Sequence, residues 1–123
     1  MSMYQFSFTN IPNFADHTEE VVIRDSLNNP LDFTNYRNFE MNIGRELADR
    51  LGKPGITMTQ GDREVLVKGT PTDGRLQFNF KKAKMEKLSG AYVYKANITY
   101  TITGVLRVLG FGTISLTSNV GGV

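Results

Sequence analysis

The chain contains no cysteine and only one histidine among its 123 residues. Without cysteine, a disulfide, a thiol nucleophile and a cysteine-ligated zinc or iron–sulfur site are all excluded. The single imidazole, His17, argues against a histidine metal cage and against a serine–histidine catalytic pair. Long apolar runs are also missing, since no uninterrupted stretch approaches the roughly 18 residues of a membrane-spanning helix. Much enzyme chemistry is thereby excluded before any motif is considered.

The composition is that of one folded domain. Apolar residues make up 40% of the chain and charged residues 21%, and the 8 Phe and 5 Tyr are too many for a disordered protein. The length suits a single domain over residues 1–123. Met1 to Gln5 show neither the basic nor the apolar segment of a secretory signal, so we expect none.

The net charge of +2 is small, and most of the charged residues are mixed in sign. One dense basic cluster stands out, formed by Lys81, Lys82, Lys84 and Lys87. A nucleic-acid binder would place its positive charge in a stripe interleaved with aromatic residues, which this cluster lacks. We therefore interpret the cluster as a solvated connection between strands and expect no nucleic-acid partner.

Period-two alternation of apolar and polar residues runs through most of the chain and predicts strands. Strong turn signals at 26–30 and 70–74 separate these segments, because Asn, Asp, Gly and Pro favour tight reversals. About eight short strands without long intervening helices are typical of an antiparallel β-sandwich or a small barrel. We predict an all-β, Ig-like or jelly-roll-like sandwich.

The remaining segments are predicted as short or irregular elements. Residues 45–51 and 81–88 each read as a helical turn, and the tail 118–123 is expected to be loose. Residues 105–109 and 113–117 read as a terminal hairpin-like segment, with a bulge at the glycines between them. The inward-facing positions predict a core of Val22, Leu31, Phe39, Met41, Ile43, Leu76, Phe78, Tyr92, Tyr94, Ile98, Tyr100 and Ile114.

Candidate chemical sites are few. Residues 16–19, Asp-His-Thr-Glu, carry metal-ligand side chains but lack a second ligand cluster, and we interpret them as a turn before a strand. Tyr92, Tyr94 and Tyr100 could stack on a carbohydrate, yet a core face with hydroxyls near the sheet edge explains them better. The other acidic residues are mostly in turns. We expect no catalytic residue, no metal and no cofactor.

Four segments, taken in order, resemble small β-sandwich domains of bacteriophage virion proteins. Residues 21–36 (VVIRDSLNNPLDFTNY) resemble the opening of these domains, which consists of a strand, an Asp, a Gly/Asn turn and the run Pro-Leu-Asp-Leu-Thr-Gly-Tyr. Residues 73–78 (DGRLQF) are similar to a Gly-x-Ile-x-Leu strand, and 88–94 (LSGAYVY) to a Leu-x-x-Gly-x-Tyr-x-Tyr step. Residues 104–114 (GVLRVLGFGTI) resemble the final hairpin. The family includes the N-terminal domain of siphophage baseplate upper proteins and stand-alone prophage structural proteins.

The resemblance implies a virion structural protein without enzymatic activity, assembled in the host cytoplasm. It would be an adaptor or docking module of the tail, baseplate or neck, or a capsid decoration, cement or fibre-anchoring protein. Its partners would be other phage structural proteins, in a homo-oligomer or on a multimeric partner, with no membrane. The alternative is a stand-alone carbohydrate-binding sandwich that recognises host glycans. Exposed aromatic residues at one rim would favour that alternative.

The segment 1–14 is the candidate interaction element. Its apolar residues Tyr4, Phe6, Phe8, Ile11 and Phe14 precede the region of resemblance and form the face of an edge strand or of an arm. An arm would pair with a neighbouring subunit through main-chain hydrogen bonds. We favour an own-sheet strand whose outer side, with the loop 11–14, contacts neighbouring subunits.

The predicted core leads to a direct test at Phe78. If its ring is fully buried, Phe78→Ala should lower the free energy of unfolding by roughly 3–5 kcal/mol. That is a large part of the total stability of a small domain, about 5–15 kcal/mol, so soluble yield should fall as well. The measurement is thermal denaturation, and an unchanged melting temperature would mean that the strand faces are reversed.

Overall fold

The computed structural model of this chain describes residues 4–44, 56–88 and 90–117. Within these ranges the chain forms β1 (Tyr4–Gln5), β2 (Phe8–Pro12), β3 (His17–Val22), β4 (Tyr36–Gly44), β5 (Ile56–Thr59), β6 (Val65–Lys68), β7 (Arg75–Phe80), β8 (Gly90–Tyr100) and β9 (Leu106–Thr117). A 3₁₀ turn lies at Pro71–Asp73 and a short helix, α1, at Lys82–Met85. The predicted all-β class is therefore confirmed.

The strands form two sheets that pack into a sandwich. The larger sheet has the order β1–β9–β8–β4–β5, with β2 also paired to β9, and the smaller sheet has the order β3–β7–β6. Every pairing is antiparallel except those of β1 and β2, which run parallel to β9. This strand order matches the immunoglobulin-type sandwich rather than the jelly roll.

Alternation along the strands accounts for the core between the sheets. Leu76, Phe78 and Phe80 are buried on β7, whereas the residues between them are only half-buried. β4 and β8 bury their alternate residues in the same way, because one face of each strand meets the other sheet. Most of the predicted core is confirmed, namely Phe39, Met41, Ile43, Leu76, Phe78, Tyr92, Tyr94, Ile98 and Ile114.

Three residues of the predicted core differ from the structure. The prediction for Val22 was wrong, since its side chain is 43% exposed. The register of β3 on β7 places Val21 opposite the buried Leu76, which turns Val22 outward. Leu31 and Tyr100 are half-buried, because they lie towards one end of the sandwich.

Several local predictions are also corrected or confirmed. The terminal hairpin is instead one continuous strand, β9, and its predicted bulge appears as a register shift beside Gly110. The turn expected at 16–19 is wrong from His17 onward, because those residues belong to β3. The helical turn within 81–88 is confirmed by α1. The predictions for 45–51 and 118–123 lie outside the described residues.

The N-terminal segment closes one side of the sandwich. β1 and β2 pair with β9, and between them the Tyr94 hydroxyl donates a hydrogen bond to the Phe6 carbonyl. Burial raises the pKa of Tyr94, so this hydroxyl keeps its proton. Gly112 of β9 leaves room for the same carbonyl, since an added Cβ would overlap it. The Phe6 carbonyl is thus in close contact with both β8 and β9.

Aromatic rings join the two sheets at this closure. The Phe8 ring of the larger sheet lies 5.0 Å from Phe78 and 5.2 Å from Phe80 of the smaller sheet, centroid to centroid. It also lies 5.7 Å from Tyr94. In antibody domains an inter-sheet disulfide joins the strands that correspond to β3 and β8. In this cysteine-free chain, edge-to-face aromatic contacts link the two sheets instead.

Gly112→Ala should therefore destabilise the fold. The added methyl group meets the backbone of Phe6, which cannot rotate away, so we expect a loss of about 1–3 kcal/mol, as for overpacking of a core. The matched control is Gly61→Ala, where the nearest atom to an added Cβ is 4.0 Å away. Urea denaturation of both variants measures the effect. Equal midpoints for both variants would contradict the close approach.

Candidate functional site

The structure places most of the predicted interaction residues in the sandwich itself. Phe8 and Ile11 are buried and Phe6 is half-buried, so their side chains attach the segment to its own core. Tyr4 pairs with Gly110 through its backbone, and its side chain lies outside the description. Phe14 is 43% exposed. The segment is thus the favoured own-sheet strand, and its contact with a partner stays a prediction.

One end of the sandwich, here called the loop end, gathers three connections: 23–35, 69–74 and 101–105. Backbone hydrogen bonds tie them together: Ile23 donates to Gly74 (2.8 Å), Phe33 to Pro71 (2.9 Å) and Thr101 to Asn35 (2.8 Å). Because these hydrogen bonds connect loops from both sheets, the three loops of the loop end are held together as one surface and are not independent.

Gly74 allows two of these connections to approach closely. Its backbone is left-handed, with φ of +66°, and an added Cβ would lie 2.7 Å from the Ile23 carbonyl and 2.8 Å from the Leu31 nitrogen. Only glycine accommodates both the conformation and the contact. The predicted turn at 70–74 is confirmed, and it also orients the loop end.

Exposed aliphatic side chains are concentrated at the loop end. We call this set the aliphatic surface; it comprises Leu27 (79% exposed), Ile102 (68%), Val105 (48%) and Leu106 (60%). Among the described residues, the other large exposed apolar side chains are Phe14 and Val22, both 43% exposed. The alternation of buried residues along β8 would place Ile102 on the core face if the strand continued. Because the strand ends at Tyr100, Ile102 falls in the loop instead.

Cationic and aromatic groups flank the aliphatic surface. The Tyr36 and Tyr100 rings pack together at 5.4 Å, and the Arg107 guanidinium lies 5.7 Å from the Tyr100 centroid. Neither Arg107 nor Arg37 has a carboxylate within ion-pair distance among the described residues. Tyrosine and arginine beside exposed aliphatic groups are the residue types enriched at protein–protein contacts.

A polar cleft of about 330 Å³ lies on the outer face of the larger sheet, close to the loop end. Its lining consists of Asn38, Phe39, Glu40, Thr59, Gln60, Gly61, Thr99 and Leu106. The cleft crosses β5, β4, β8 and β9, because Thr59 pairs with Glu40 and Thr99 pairs with Leu106. Neighbouring strands thus hold most of its side chains in fixed positions.

Asn97 lies beside this cleft and is unusual for a residue on an outer sheet face. It is the cross-strand partner of Glu40 and lies two residues before Thr99, so all three share one face. Asn97 is buried, and its Oδ1 atom has no hydrogen-bond partner. A buried, unpaired amide oxygen lowers stability, so its presence calls for a physical explanation.

A buried ion pair links α1 to the connection between β5 and β6. Glu64, whose side chain is 1% exposed, accepts a 2.8 Å contact from the Lys84 ammonium group. Lys84 also donates to the Thr57 carbonyl at 2.6 Å. The pair therefore joins α1 to β5 and to the chain crossing between the sheets. One lysine of the predicted solvated cluster is thus a structural residue, which nothing in its sequence neighbourhood indicates.

His17 contacts Glu19 at 2.9 Å on β3, and both side chains are partly exposed. Over residues 4–44, 56–88 and 90–117, no three His, Asp or Glu side chains come together as a metal site. No helix in those ranges is long and apolar enough to cross a membrane.

No protein-family model matches the chain, and no curated protein sequence matches it.

The buried ion pair predicts an effect that is specific to one position of the lysine cluster. Lys84→Ala leaves the Glu64 carboxylate buried without its cation, so stability should fall by roughly 3 kcal/mol, the lower end for breaking a buried pair, because Lys84 is partly exposed. The control Lys87→Ala removes an exposed lysine nearby and should stay within about 0.5 kcal/mol of the parent. Urea denaturation distinguishes the two, and equal midpoints would contradict a stabilising pair.

Proposed function

We propose that this chain is a structural protein of a bacteriophage particle, a β-sandwich adaptor or docking module. It would serve in the tail, baseplate or neck, or as a capsid decoration, cement or fibre-anchoring protein. The resemblance of residues 21–36, 73–78, 88–94 and 104–114 to phage virion sandwiches supports the proposal, and so does the sandwich fold. A fold alone does not establish a function, so the proposal depends on which side chains the protein exposes.

The observation that carries the proposal is the aliphatic surface at the loop end, whose three loops are hydrogen-bonded to one another. Leu27 and Ile102 are among the most exposed large apolar side chains of the described residues, at 79% and 68%. Four such side chains lie in or next to the connections at one end of the sandwich. Large exposed apolar patches mark protein contacts, whereas isolated exposed apolar residues need no explanation. Because the three loops are hydrogen-bonded together, docking there requires little ordering of the chain.

Strand addition at the β1–β2 edge or at β3 is a poorer route to assembly. The β1–β2 edge is interrupted by a register shift between Phe8 and Ile11 and ends at Pro12, which has no N–H to donate. The edge strand β3 carries Glu19 and Glu20 side by side, which disfavour pairing with a second copy of the same strand. Docking through the loop end avoids both obstacles.

The alternative, a carbohydrate-binding sandwich, would be favoured by exposed aromatic rings at one rim. At the loop end, Tyr36 and Tyr100 pack on each other and are half-buried. Phe14 is exposed but lies in the connection between β2 and β3, away from the loop end. The large exposed apolar side chains of the loop end are aliphatic and not aromatic, which favours a protein partner. The feature that supports carbohydrate binding is the polar cleft of the larger sheet.

Particle incorporation tests the proposed function. The phage that encodes this chain is grown with the gene disrupted and a plasmid copy supplied, and purified virions are analysed by quantitative mass spectrometry. Ile102→Ser with Leu106→Ser should reduce incorporation at least about tenfold, the effect of losing 1.4 kcal/mol of binding. Stability should change little, because both residues are exposed.

The matched control is Val22→Ser, which also replaces an exposed aliphatic residue but lies outside the aliphatic surface. It should incorporate like the parent. Absence of the parent protein from purified virions would overturn the virion role. Normal incorporation of the double variant would overturn the docking surface alone.

A further inference from the structure

We propose that the polar cleft on the outer face of the larger sheet binds a neutral, polyhydroxylated ligand, namely a sugar residue. This inference does not depend on a virion role. A cleft of about 330 Å³ is large enough for a small molecule. Its lining residues on β4, β5, β8 and β9 are held by sheet pairing, so the site is preformed.

The cleft offers hydrogen-bonding groups that the protein itself does not use. The Asn38 amide, the Glu40 carboxylate and the Thr99 hydroxyl have no hydrogen-bond partner among the described residues. Gln60 is held by its Oε1, which accepts from the Phe39 nitrogen at 3.3 Å, so its amide N–H groups remain available. Donors and acceptors are therefore both present, as a ligand with several hydroxyl groups requires.

The charges in and around the cleft favour a neutral ligand. Among the described residues, Glu40 is the only charged one that lines the cleft, so an anion would be repelled. Arg37 is the cross-strand partner of Thr99 on the same face, so a cation would meet an unpaired positive charge beside the cleft. Leu106, 60% exposed, supplies an apolar wall for the C–H face of a sugar ring.

Asn97 lies beneath this face of the sheet and not in the lining of the cleft. Its Oδ1 is buried without a hydrogen-bond donor, while its neighbours on the same face, Glu40 and Thr99, both line the cleft. A ligand would therefore bind to Glu40 and Thr99, above Asn97.

Amide NMR spectroscopy of the whole chain tests the proposal. The probes are the methyl glycosides of glucose, galactose, mannose, rhamnose and N-acetylglucosamine, each titrated to about 50 mM so that millimolar dissociation constants are detected. At least one should give saturable shifts confined to amides 38–40, 59–61, 97–99 and 106. Glycerol at the same concentration is the control for unspecific polyol effects. No saturable shift with any glycoside, or the same shifts with glycerol, would overturn the proposal.

Matched variants locate the site. Glu40→Ala with Thr99→Val should weaken binding at least about tenfold, since two hydrogen-bonding groups are lost. Lys95→Ala, on the same sheet face but outside the cleft lining, should bind like the parent. Unchanged binding by the double variant would overturn the cleft as the site, even if a sugar binds elsewhere.

Asn97→Val separates stability from binding. Replacing the unpaired amide by an apolar side chain of similar size should raise the melting temperature, because no buried acceptor remains unsatisfied. Because Asn97 lies beneath the cleft and not in its lining, the same variant should bind the responsive glycoside like the parent. A loss of binding without a loss of stability would overturn the cleft lining as the complete binding site.

Discussion

The closure of the sandwich by its own N-terminal segment is the constraint on which the rest of the structure depends. The Tyr94 hydroxyl and the space above Gly112 hold the Phe6 carbonyl, while the Phe8 ring packs against Phe78 of the opposite sheet. These contacts join the first strands, the last strand and both sheets at one place. In a chain without cysteine they link the sheets, as a disulfide does in antibody domains.

This closure limits which side chains are free to contact a partner. Because the apolar side chains of β2 are used inside the sandwich, they cannot also reach a partner while the chain is folded. Among the described residues, the candidate sites are the loop end and the outer face of the larger sheet. Leu106 belongs to both, since it lies on the aliphatic surface and lines the cleft. A docked protein and a bound sugar would therefore influence each other.

Two buried polar side chains are satisfied only in part. Glu64 Oε1 is paired with Lys84, and the pair joins α1 to β5 and to the connection that follows β5, while Glu64 Oε2 has no hydrogen-bond partner. Asn97 Oδ1 has no hydrogen-bond partner either. A buried charge must be paired for the fold to persist, whereas a buried neutral amide oxygen is less costly to leave unpaired. The ion pair of Glu64 is therefore a requirement of the fold.

The sequence by itself determined the all-β class, most strand positions and most of the core, because alternation and turn residues act over a few positions and are visible locally. It also indicated the turn at 70–74 and the helical turn at α1. Only the tertiary structure decided that Val22 points outward and Val21 inward, since strand register depends on the partner strand. The Glu64–Lys84 pair, the exposed loop end and the cleft join residues distant in sequence. Such contacts arise from the packing of the two sheets, which no local pattern encodes.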